Sequence, residues 1–274
     1  MPELPEVEVA RRNLERWLEG RRVVRAEADA TRIFRGSKPE GFKTLRGRLE
    51  KAERKGKYLL LTFERGQGLM SHLGMTGKYV RRSGKVLEPY SRARLFLDSG
   101  EVIHYRDPRL FGRMEPVPAS ALWSLPSVAA LGIDPWTEKA TARVLKERVG
   151  SSSQPLKVAL MDQGRISGLG NIHAAEALFR ARIHPGRKPR SLSDAEWKRL
   201  AVAIRNGLEF ALRQFDAEEV HYVEEGGAVK NPFHVYGRRD APCRRCKAPI
   251  ASFPQGGRTT YYCPGCQPKR VIES

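Results

Sequence analysis

All four cysteines of the chain fall in one C-terminal segment, at a spacing that suits a metal site. They form two C-x2-C pairs, CRRC at 243–246 and CPGC at 263–266. Two such pairs complete a tetrahedral four-thiolate zinc site, which has no open position and is therefore structural rather than catalytic. Two disulfides or a redox pair are the alternatives, but disulfides fit poorly with a chain that we expect to be cytoplasmic. The predicted ligands of one zinc ion are Cys243, Cys246, Cys263 and Cys266.

The N-terminal stretch MPELPEVE combines a proline directly behind the first methionine with three carboxylates. Pro5 suits the first turn of a helix, and Glu6 and Glu8 suit the positive end of its dipole. That interpretation accounts for Pro5 but leaves Pro2 unexplained, because a chain end is usually loose and featureless.

A glycine-rich turn is predicted between two helical stretches in PLKVALMDQGRISGLGNIHAAEALF (155–179). Gly164, Gly168 and Gly170 precede Asn171, where the second helix would begin. Such a turn exposes backbone N–H groups, which suit a phosphate. Lys157 lies on the preceding helix. By spacing alone, a generic helix-turn-helix explains the pattern as well.

The net charge indicates the class of partner. Lys and Arg number 50 against 31 Asp and Glu, which gives a formal charge of +19. This balance favours a polyanion, although solubility alone is the plain alternative. A membrane surface would call for a basic amphipathic anchor or a lipidation motif, and we find neither. Nucleic acid is the leading partner, with binding that weakens as salt rises.

The elements that position these residues follow from hydrophobic periodicity. Apolar residues from Val7 to Leu18 recur at helical spacing, and Gly20 suits the end of that helix. Residues 22–115 have the shorter pattern of strands and turns, which predicts a β-sandwich or barrel. Four prolines suggest a linker at 116–140. Strands are predicted at 58–63, 93–97 and 102–105, and helices at 142–149, 155–163, 171–181 and 193–214, the last with a capping box of Ser193 and Glu196.

We expect a cytoplasmic protein. No stretch reaches the roughly 18 to 20 apolar residues that cross a bilayer. The acidic N-terminus is followed by no apolar region, so we expect no signal peptide.

The combined motifs resemble the formamidopyrimidine-DNA glycosylase family, whose sister group is endonuclease VIII. The resemblance runs nearly end to end, and PELP at the start and HLGM point to the formamidopyrimidine branch. The matching motifs are PELPEVE (2–8), RKGKY (54–58), HLGMTG (72–77), DPRLFGR (107–113), LMDQ (160–163), GLGNIHAAEALF (168–179), VYGR (235–238) and GGRTTYYCPGCQ (256–267).

The resemblance implies an α+β fold in three parts. They are an N-terminal β-sandwich with a leading helix (1–135), a helix-two-turns-helix domain (136–225) and a four-cysteine zinc finger (226–274). It also implies a monomer that acts on double-stranded DNA containing damaged bases or abasic sites, without a membrane. Such a protein is nucleoid-associated through its DNA.

The resemblance also answers the question that Pro2 raises. In the family Met1 is removed, and the amine of the new N-terminal proline attacks the sugar C1′ and expels the damaged base. Glu3 is the general acid/base, and Lys57 serves near the cleaved phosphate and as a proton donor. The predicted activity is that of a bifunctional DNA glycosylase/AP lyase, which cleaves the strand by β,δ-elimination.

By the same resemblance, seven residues contact DNA. Met75, Arg109 and Phe111 fill the void left by the flipped base, and alternation would put Arg109 and Phe111 on one side if DPRLFG is extended. Core packing is the plain alternative for Met75 and Phe111. The remaining contacts are to the backbone, from His72, Lys157, Asn171 and Arg258.

The chain departs from the family pattern before VYGR. The loop at 223–234 is shorter than usual and carries Asn231-Pro232. In the family this loop contributes to recognition of the everted purine. We therefore expect oxidised purines as substrates, with ring-opened formamidopyrimidines ahead of 8-oxoguanine. Two alternatives stay open: a preference for oxidised pyrimidines, as in endonuclease VIII, and a zinc protein that binds damaged DNA without cutting it.

Overall fold

The computed structural model describes residues 2–215 and 231–269 of the chain. These residues form two compact units, one of residues 2–130 and one of residues 131–214 with 231–269. The three-part division at 135/136 and 225/226 stays a prediction, since its second boundary lies outside the described residues. The strands are β1 (Val23–Ala28), β2 (Leu49–Lys55), β3 (Tyr58–Phe63), β4 (Gln67–His72), β5 (Lys78–Ser83), β6 (Ser91–Leu97), β7 (Glu101–Arg106), β8 (Arg113–Pro118), β9 (Ala251–Gln255) and β10 (Arg258–Tyr262). The helices are α1 (Leu4–Leu18), α2 (Pro39–Lys43), α3 (Pro126–Ala129), α4 (Ala142–Val149), α5 (Leu156–Leu160), α6 (Asn171–Ala181) and α7 (Asp194–Phe215).

The first unit is a β-sandwich with a leading helix, as predicted. Its two antiparallel sheets have the strand orders β1-β6-β7-β5 and β2-β3-β4-β8. Leu95 and Ile103 of one sheet share a core with Leu59 and Leu61 of the other, and Trp17 of α1 packs into the same core. The apolar face of α1 therefore closes the sandwich, which fixes the helix that begins just after Pro2 and Glu3.

The proline-rich segment after β8 is part of this unit, so the predicted linker is wrong at 116–129. Pro116 and Pro118 lie in β8, which pairs only with β4 in its sheet, so their missing N–H groups cost no ladder hydrogen bond there. Leu122, Leu125 and Val128 then pack against Leu60 on the outer face of β3. Because β3 is covered on both faces, its sequence is a continuous apolar run.

The second unit contains the predicted helices. The helices α4 and α6 have the predicted bounds, and α7 begins with the predicted capping box, in which Ser193 N–H donates to Glu196 at 2.9 Å. The helix predicted at 155–163 ends earlier, at Leu160. Beyond it the Gln163 side chain donates to the Leu169 carbonyl at 2.8 Å and accepts from Gly168 N–H at 2.9 Å. Gln163 thus fixes the glycine-rich turn. The hairpin of β9 and β10 follows the first cysteine pair.

Candidate active site and nucleic-acid interface

Strand register brings three sequence motifs to one end of the second sheet. Tyr58 at the start of β3 lies opposite His72 at the end of β4, and His72 lies opposite Arg113 at the start of β8. Lys57 directly precedes β3, Met75 follows β4, and Phe111 precedes β8. The antiparallel pairing therefore gathers the RKGKY turn, the HLGM loop (72–75) and the DPRLFG loop (107–112) at the same edge.

The start of α1 is held by its own carboxylates. Pro2, Glu3 and Glu6 are all buried. Glu3 is the N-cap of the helix, and the Glu6 carboxylate accepts its backbone N–H at 2.9 Å in a capping box. Glu6, one of the two acidic residues that the sequence associated with the helix dipole, thus also fixes the backbone of Glu3.

A buried ion pair ties α1 to the strand that leads to Lys57. The Arg54 guanidinium, 1% exposed, donates to Glu8 at 2.9 Å and to the Gly56 carbonyl at 2.9 Å. Arg11, one turn further along the helix, donates to the Ala52 carbonyl at 3.2 Å. The helix is therefore antiparallel to β2. Its N-terminal end, with Pro2 and Glu3, is directed toward the turn that carries Lys57.

Charge fixes the protonation of Glu8. Burial alone would raise the pKa of its carboxyl, but the hydrogen bond from Arg11 and the charge of Arg54 outweigh it and lower the pKa. Glu8 is therefore ionised at neutral pH, and the pair with Arg54 is a true ion pair.

His72 is neutral at physiological pH. Burial, helped by the positive charges of Lys57, Arg35 and Arg113, lowers its pKa to about 4. Its Nδ1 accepts the Gly74 N–H at 3.1 Å, so the proton resides on Nε2. The ring packs against Tyr58, with centroids 4.7 Å apart. His72 is thus an uncharged hydrogen-bond donor.

The HLGM and DPRLFG loops fit together closely. Gly74 has φ +64°, and a Cβ there would lie 2.4 Å from the Phe111 carbonyl carbon, so only glycine is tolerated. The buried Asp107 carboxylate joins the DPRLFG loop to the residue directly after the HLGM loop, since it accepts from Thr76 Oγ1 at 2.7 Å and from Gly112 N–H at 2.8 Å. Met75 is 37% exposed beside this junction.

Arg109 and Phe111 do lie together, but not on an extended strand. Leu110 has φ +56°, a left-handed turn, and it packs against the core. The condition under which alternation would put Arg109 and Phe111 on one side, an extended backbone, is therefore not met. The Arg109 guanidinium lies 4.9 Å from the Phe111 ring centroid. The Arg32 guanidinium lies 5.1 Å from the same centroid and donates a hydrogen bond to the Leu110 carbonyl at 2.9 Å.

In the second unit, Lys157, Asn171 and the β9–β10 hairpin form one connected group. Lys157 is fully buried, and its Nζ contacts Asn171 Oδ1 and Thr260 Oγ1, the latter at 2.8 Å. Asn171 Nδ2 donates to the Thr259 carbonyl at 3.0 Å. Arg258 is exposed at the start of β10, beyond the turn of Gly256 and Gly257.

The four cysteine sulfurs lie within 4.8 Å of one another. Cys243 and Cys266 are 4.0 Å apart, and Cys246 and Cys263 are 3.4 Å apart. A tetrahedral zinc ion with bonds of about 2.3 Å separates its sulfur ligands by roughly 3.8 Å, so these side chains fit zinc. The pairs are too far apart for disulfides, which require about 2.05 Å. One structural zinc ion is the cofactor, as predicted.

Several residues that organise these sites were missed in the sequence. Glu176 on α6 is buried and accepts the backbone N–H groups of His234 at 3.0 Å and Val235 at 2.8 Å, thereby anchoring VYGR. Burial would raise the pKa of Glu176, but these bonds and His234 lower it. An acid in the apolar run AAEALF was the available signal. The other missed residues are Arg32, Arg35, Arg54 and Asp107.

Comparison with known proteins gives the family. Three family models match the chain: the formamidopyrimidine-DNA glycosylase N-terminal domain at residues 1–114, the formamidopyrimidine-DNA glycosylase H2TH domain at 131–220, and the zinc finger found in FPG and IleRS at 241–269. The formamidopyrimidine-DNA glycosylase of Pelotomaculum thermopropionicum is 38% identical over 97% of this chain and 99% of its own length.

The chain belongs to the formamidopyrimidine-DNA glycosylase family. The crystal structure of the MutM (Fpg) protein from Thermus thermophilus is similar, with a TM-score of 0.82, 33% identity and coverage of 98% of this chain and 100% of that one. The Lactococcus lactis Fpg, solved with DNA containing an abasic site, has a TM-score of 0.86, 29% identity and coverage of 97% and 100%.

These findings confirm the predicted family and fold class. Within the described residues we find no helix that is both long and apolar enough to span a bilayer. The roles assigned to individual residues stay predictions. Of the shortened loop at 223–234, residues 223–230 lie outside the described residues.

Proposed function

We propose that this chain is a base-excision-repair DNA glycosylase and AP lyase whose nucleophile is the amine of Pro2, freed when Met1 is removed. The observation that carries the proposal is the convergence, in one unit, of the start of α1, the RKGKY turn, the HLGM loop and the DPRLFG loop. A nucleophile, a carboxyl and a lysine then adjoin side chains that can occupy a gap in a base stack.

An N-terminal amine suits this chemistry because it titrates near 7.7 to 8.0, against about 10.4 for a lysine. Its neutral fraction at neutral pH is therefore larger by a factor of hundreds. Attack on C1′ breaks the glycosidic bond, and the base leaves with a proton. The C1′–O4′ bond then opens as O4′ takes a proton, which leaves an iminium between C1′ and the proline nitrogen. The iminium acidifies the C2′–H bond, so loss of that proton expels the 3′ phosphate, and a second elimination expels the 5′ phosphate.

Glu3 is proposed as the general acid/base at the sugar. Its backbone is fixed by Glu6 and its side chain accepts the Glu6 backbone N–H, so Glu3 is held at the start of α1, one residue from the reacting amine. Lys57, in a turn braced by Arg54, is proposed to contact the phosphate that leaves and to donate a proton. The positive charges at this edge suit a phosphate.

Base extraction is assigned to the exposed loops. A base inside a duplex must be flipped out before its C1′ can be attacked, and planar or apolar wedges fill the gap. Met75 is exposed for an apolar side chain, which favours this role over core packing. Arg109, stacked on Phe111, presents donors to the orphaned base.

Backbone contacts are assigned to His72 and to the group in the second unit. Because Lys157 is buried, we propose that it acts by orienting Asn171 and the β9–β10 hairpin rather than by reaching solvent. The hairpin in turn presents Arg258 to a phosphate, and zinc holds the knuckles that flank the hairpin.

The proposed substrates are oxidised purines in double-stranded DNA, with ring-opened formamidopyrimidines preferred to 8-oxoguanine, and abasic sites. The short loop before VYGR motivates this order. DNA containing such lesions draws the chain to the nucleoid, where we propose that it acts.

The test is a cleavage assay on four duplexes that carry a formamidopyrimidine, 8-oxoguanine, thymine glycol or an abasic site. We expect release of the damaged base from both purine lesions. We also expect cleaved strands that carry a phosphate at each end of the gap. Faster release of thymine glycol would establish the pyrimidine preference instead. Tight binding to all four duplexes without cleavage would contradict the proposed enzymatic activity. The chain would then be a protein that binds damaged DNA without cutting it.

A further inference from the structure

A basic pocket lies at the C-terminal end of α6, away from the predicted phosphate contacts. It encloses about 440 Å³ between α6, the first half of α7 and the first zinc knuckle. Asn171 begins α6, and the helix extends about 16 Å before it ends at Ala181. The pocket is lined by Arg180, Lys198, Arg199, Val202, Ala203 and Arg245.

The charge of this pocket is only partly balanced locally. A second cavity shares Arg180 and Arg199 with it and adds Arg182 and Arg187, which extends the basic surface. The two nearby acids have other partners as well: Glu176 accepts backbone N–H groups, and Glu196 pairs closely with Arg187 and more distantly, at 3.8 Å, with Arg199. Among the described residues, the buried Nε of Arg180 has no hydrogen-bond partner.

The floor of the pocket is aliphatic. Val202, 59% exposed, and Ala203 lie between the cationic side chains. The two neighbouring aromatic rings are covered, since Arg245 lies 4.6 Å above Phe179 and Arg180 lies 5.0 Å from the Phe210 centroid. Sites for single-stranded nucleic acid use open aromatic faces for stacking, and duplex phosphates have nothing to place on an aliphatic floor.

We propose that this pocket docks an acidic peptide segment of a partner protein, which inserts one large apolar side chain against Val202. Carboxylates of the segment pair with Lys198, Arg199 and Arg245 at the rim. Apolar anchoring inside a polar rim is the usual design of a peptide site. The occupied surface leaves Asn171 and Arg258 accessible, so the partner and damaged DNA bind together.

The test uses the zinc-loaded full chain and a fluorescein-labelled peptide, Asp-Asp-Asp-Asp-Gly-Gly-Phe, with a companion in which Phe is replaced by Ser. Fluorescence anisotropy measures the affinity of each. We expect Lys198→Glu to weaken the Phe peptide at least tenfold. Arg143→Glu, the same charge change at a side chain 82% exposed on α4, should change it less than twofold.

The apolar anchor is tested separately. Val202→Ser should weaken the Phe peptide about fivefold and leave the Ser peptide unchanged, while cleavage of an abasic duplex stays at the unmodified rate. The proposal would be overturned if Lys198→Glu and Arg143→Glu reduced the affinity for the Phe peptide equally. It would also be overturned if Val202→Ser left the affinity for the Phe peptide unchanged. A ten-nucleotide oligo-dT provides a further control. If oligo-dT displaces the peptide, and if Val202→Ser weakens the binding of oligo-dT, the pocket is a nucleic-acid site and the proposal is overturned.

Discussion

At the scale of single residues, environment decides which groups are charged. His72 and Glu8 lie near the same end of the sheet, yet the first is neutral and the second ionised. Burial acts on both, but only Glu8 has opposite charges to offset it. The sequence predicted a role for His72 by motif alone, and its protonation state could not follow from that motif.

The depressed pKa of His72 predicts a pH-dependent stability. Between its unfolded value of 6.5 and its folded value of about 4, the unfolded chain binds a proton that the folded chain does not. Stability is therefore fully present above pH 6.5 and is lost as pH falls toward 4, by up to about 3 kcal/mol. Between pH 7 and pH 4.5, the free energy of unfolding measured with urea should fall by about 2 kcal/mol more in the unmodified chain than in His72→Gln. Equal decreases would refute the lowered pKa of His72.

At the scale of elements, buried polar links determine how helices and loops meet. Arg54 joins α1 to the RKGKY turn, and Asp107 joins the DPRLFG loop to the residue directly after the HLGM loop. Both links connect segments far apart in the chain, and periodicity carries no information about them. The helices and strands themselves were largely predictable, because each has a clear apolar face.

The Arg54–Glu8 pair should contribute strongly to stability. Arg54→Met leaves a buried carboxylate with a partner removed, and we expect a loss of about 3 kcal/mol by urea unfolding. Arg12 pairs with the same carboxylate from a side chain that is 40% exposed, so Arg12→Met should cost less than about 1 kcal/mol. Similar losses for the two variants would count against the proposed link. The rate of strand cleavage per folded molecule should also fall in Arg54→Met, because the turn that carries Lys57 loses its hydrogen bond from Arg54 to the Gly56 carbonyl.

Gly74 offers a test of the loop junction. In Gly74→Ala the added Cβ meets the Phe111 carbonyl carbon at 2.4 Å, so the loops must separate and excision of 8-oxoguanine should fall at least about tenfold. Gly66 has a similar φ of +68° with nothing within 4 Å of a Cβ, so Gly66→Ala carries the same backbone strain of about 1–2 kcal/mol without the collision. If both variants excise at the same rate, the junction does not position Met75 and Phe111.

At the scale of the whole molecule, the charge of +19 and the zinc finger are both assigned to DNA binding in the proposed function. Composition predicted the polyanion, and cysteine spacing predicted the metal, because neither depends on tertiary contacts. Lys157 illustrates the limit of such reasoning. Its motif predicted a phosphate contact, but the structure buries it against Asn171 and Thr260, an outcome that depends on a hairpin about a hundred residues away.

Salt dependence tests the contribution of the hairpin. Each phosphate contact adds to the slope of log K against log salt, so Arg258→Gln should lower that slope by about 1 on an abasic duplex. Arg143→Glu, at an exposed side chain of α4, should leave the slope nearly unchanged. Fluorescence anisotropy from 50 to 300 mM salt makes the comparison, and an unchanged slope in Arg258→Gln would remove that residue from the interface.

The proposed mechanism depends above all on the amine of Pro2 as the nucleophile. The most direct measurement is borohydride trapping on duplexes with 8-oxoguanine opposite cytosine and with an abasic site, followed by mass spectrometry of the cross-linked peptide. We expect loss of Met1 and an adduct on the Pro2 nitrogen with both duplexes. An adduct on Lys57, or no adduct despite tight binding, would contradict the proposed mechanism.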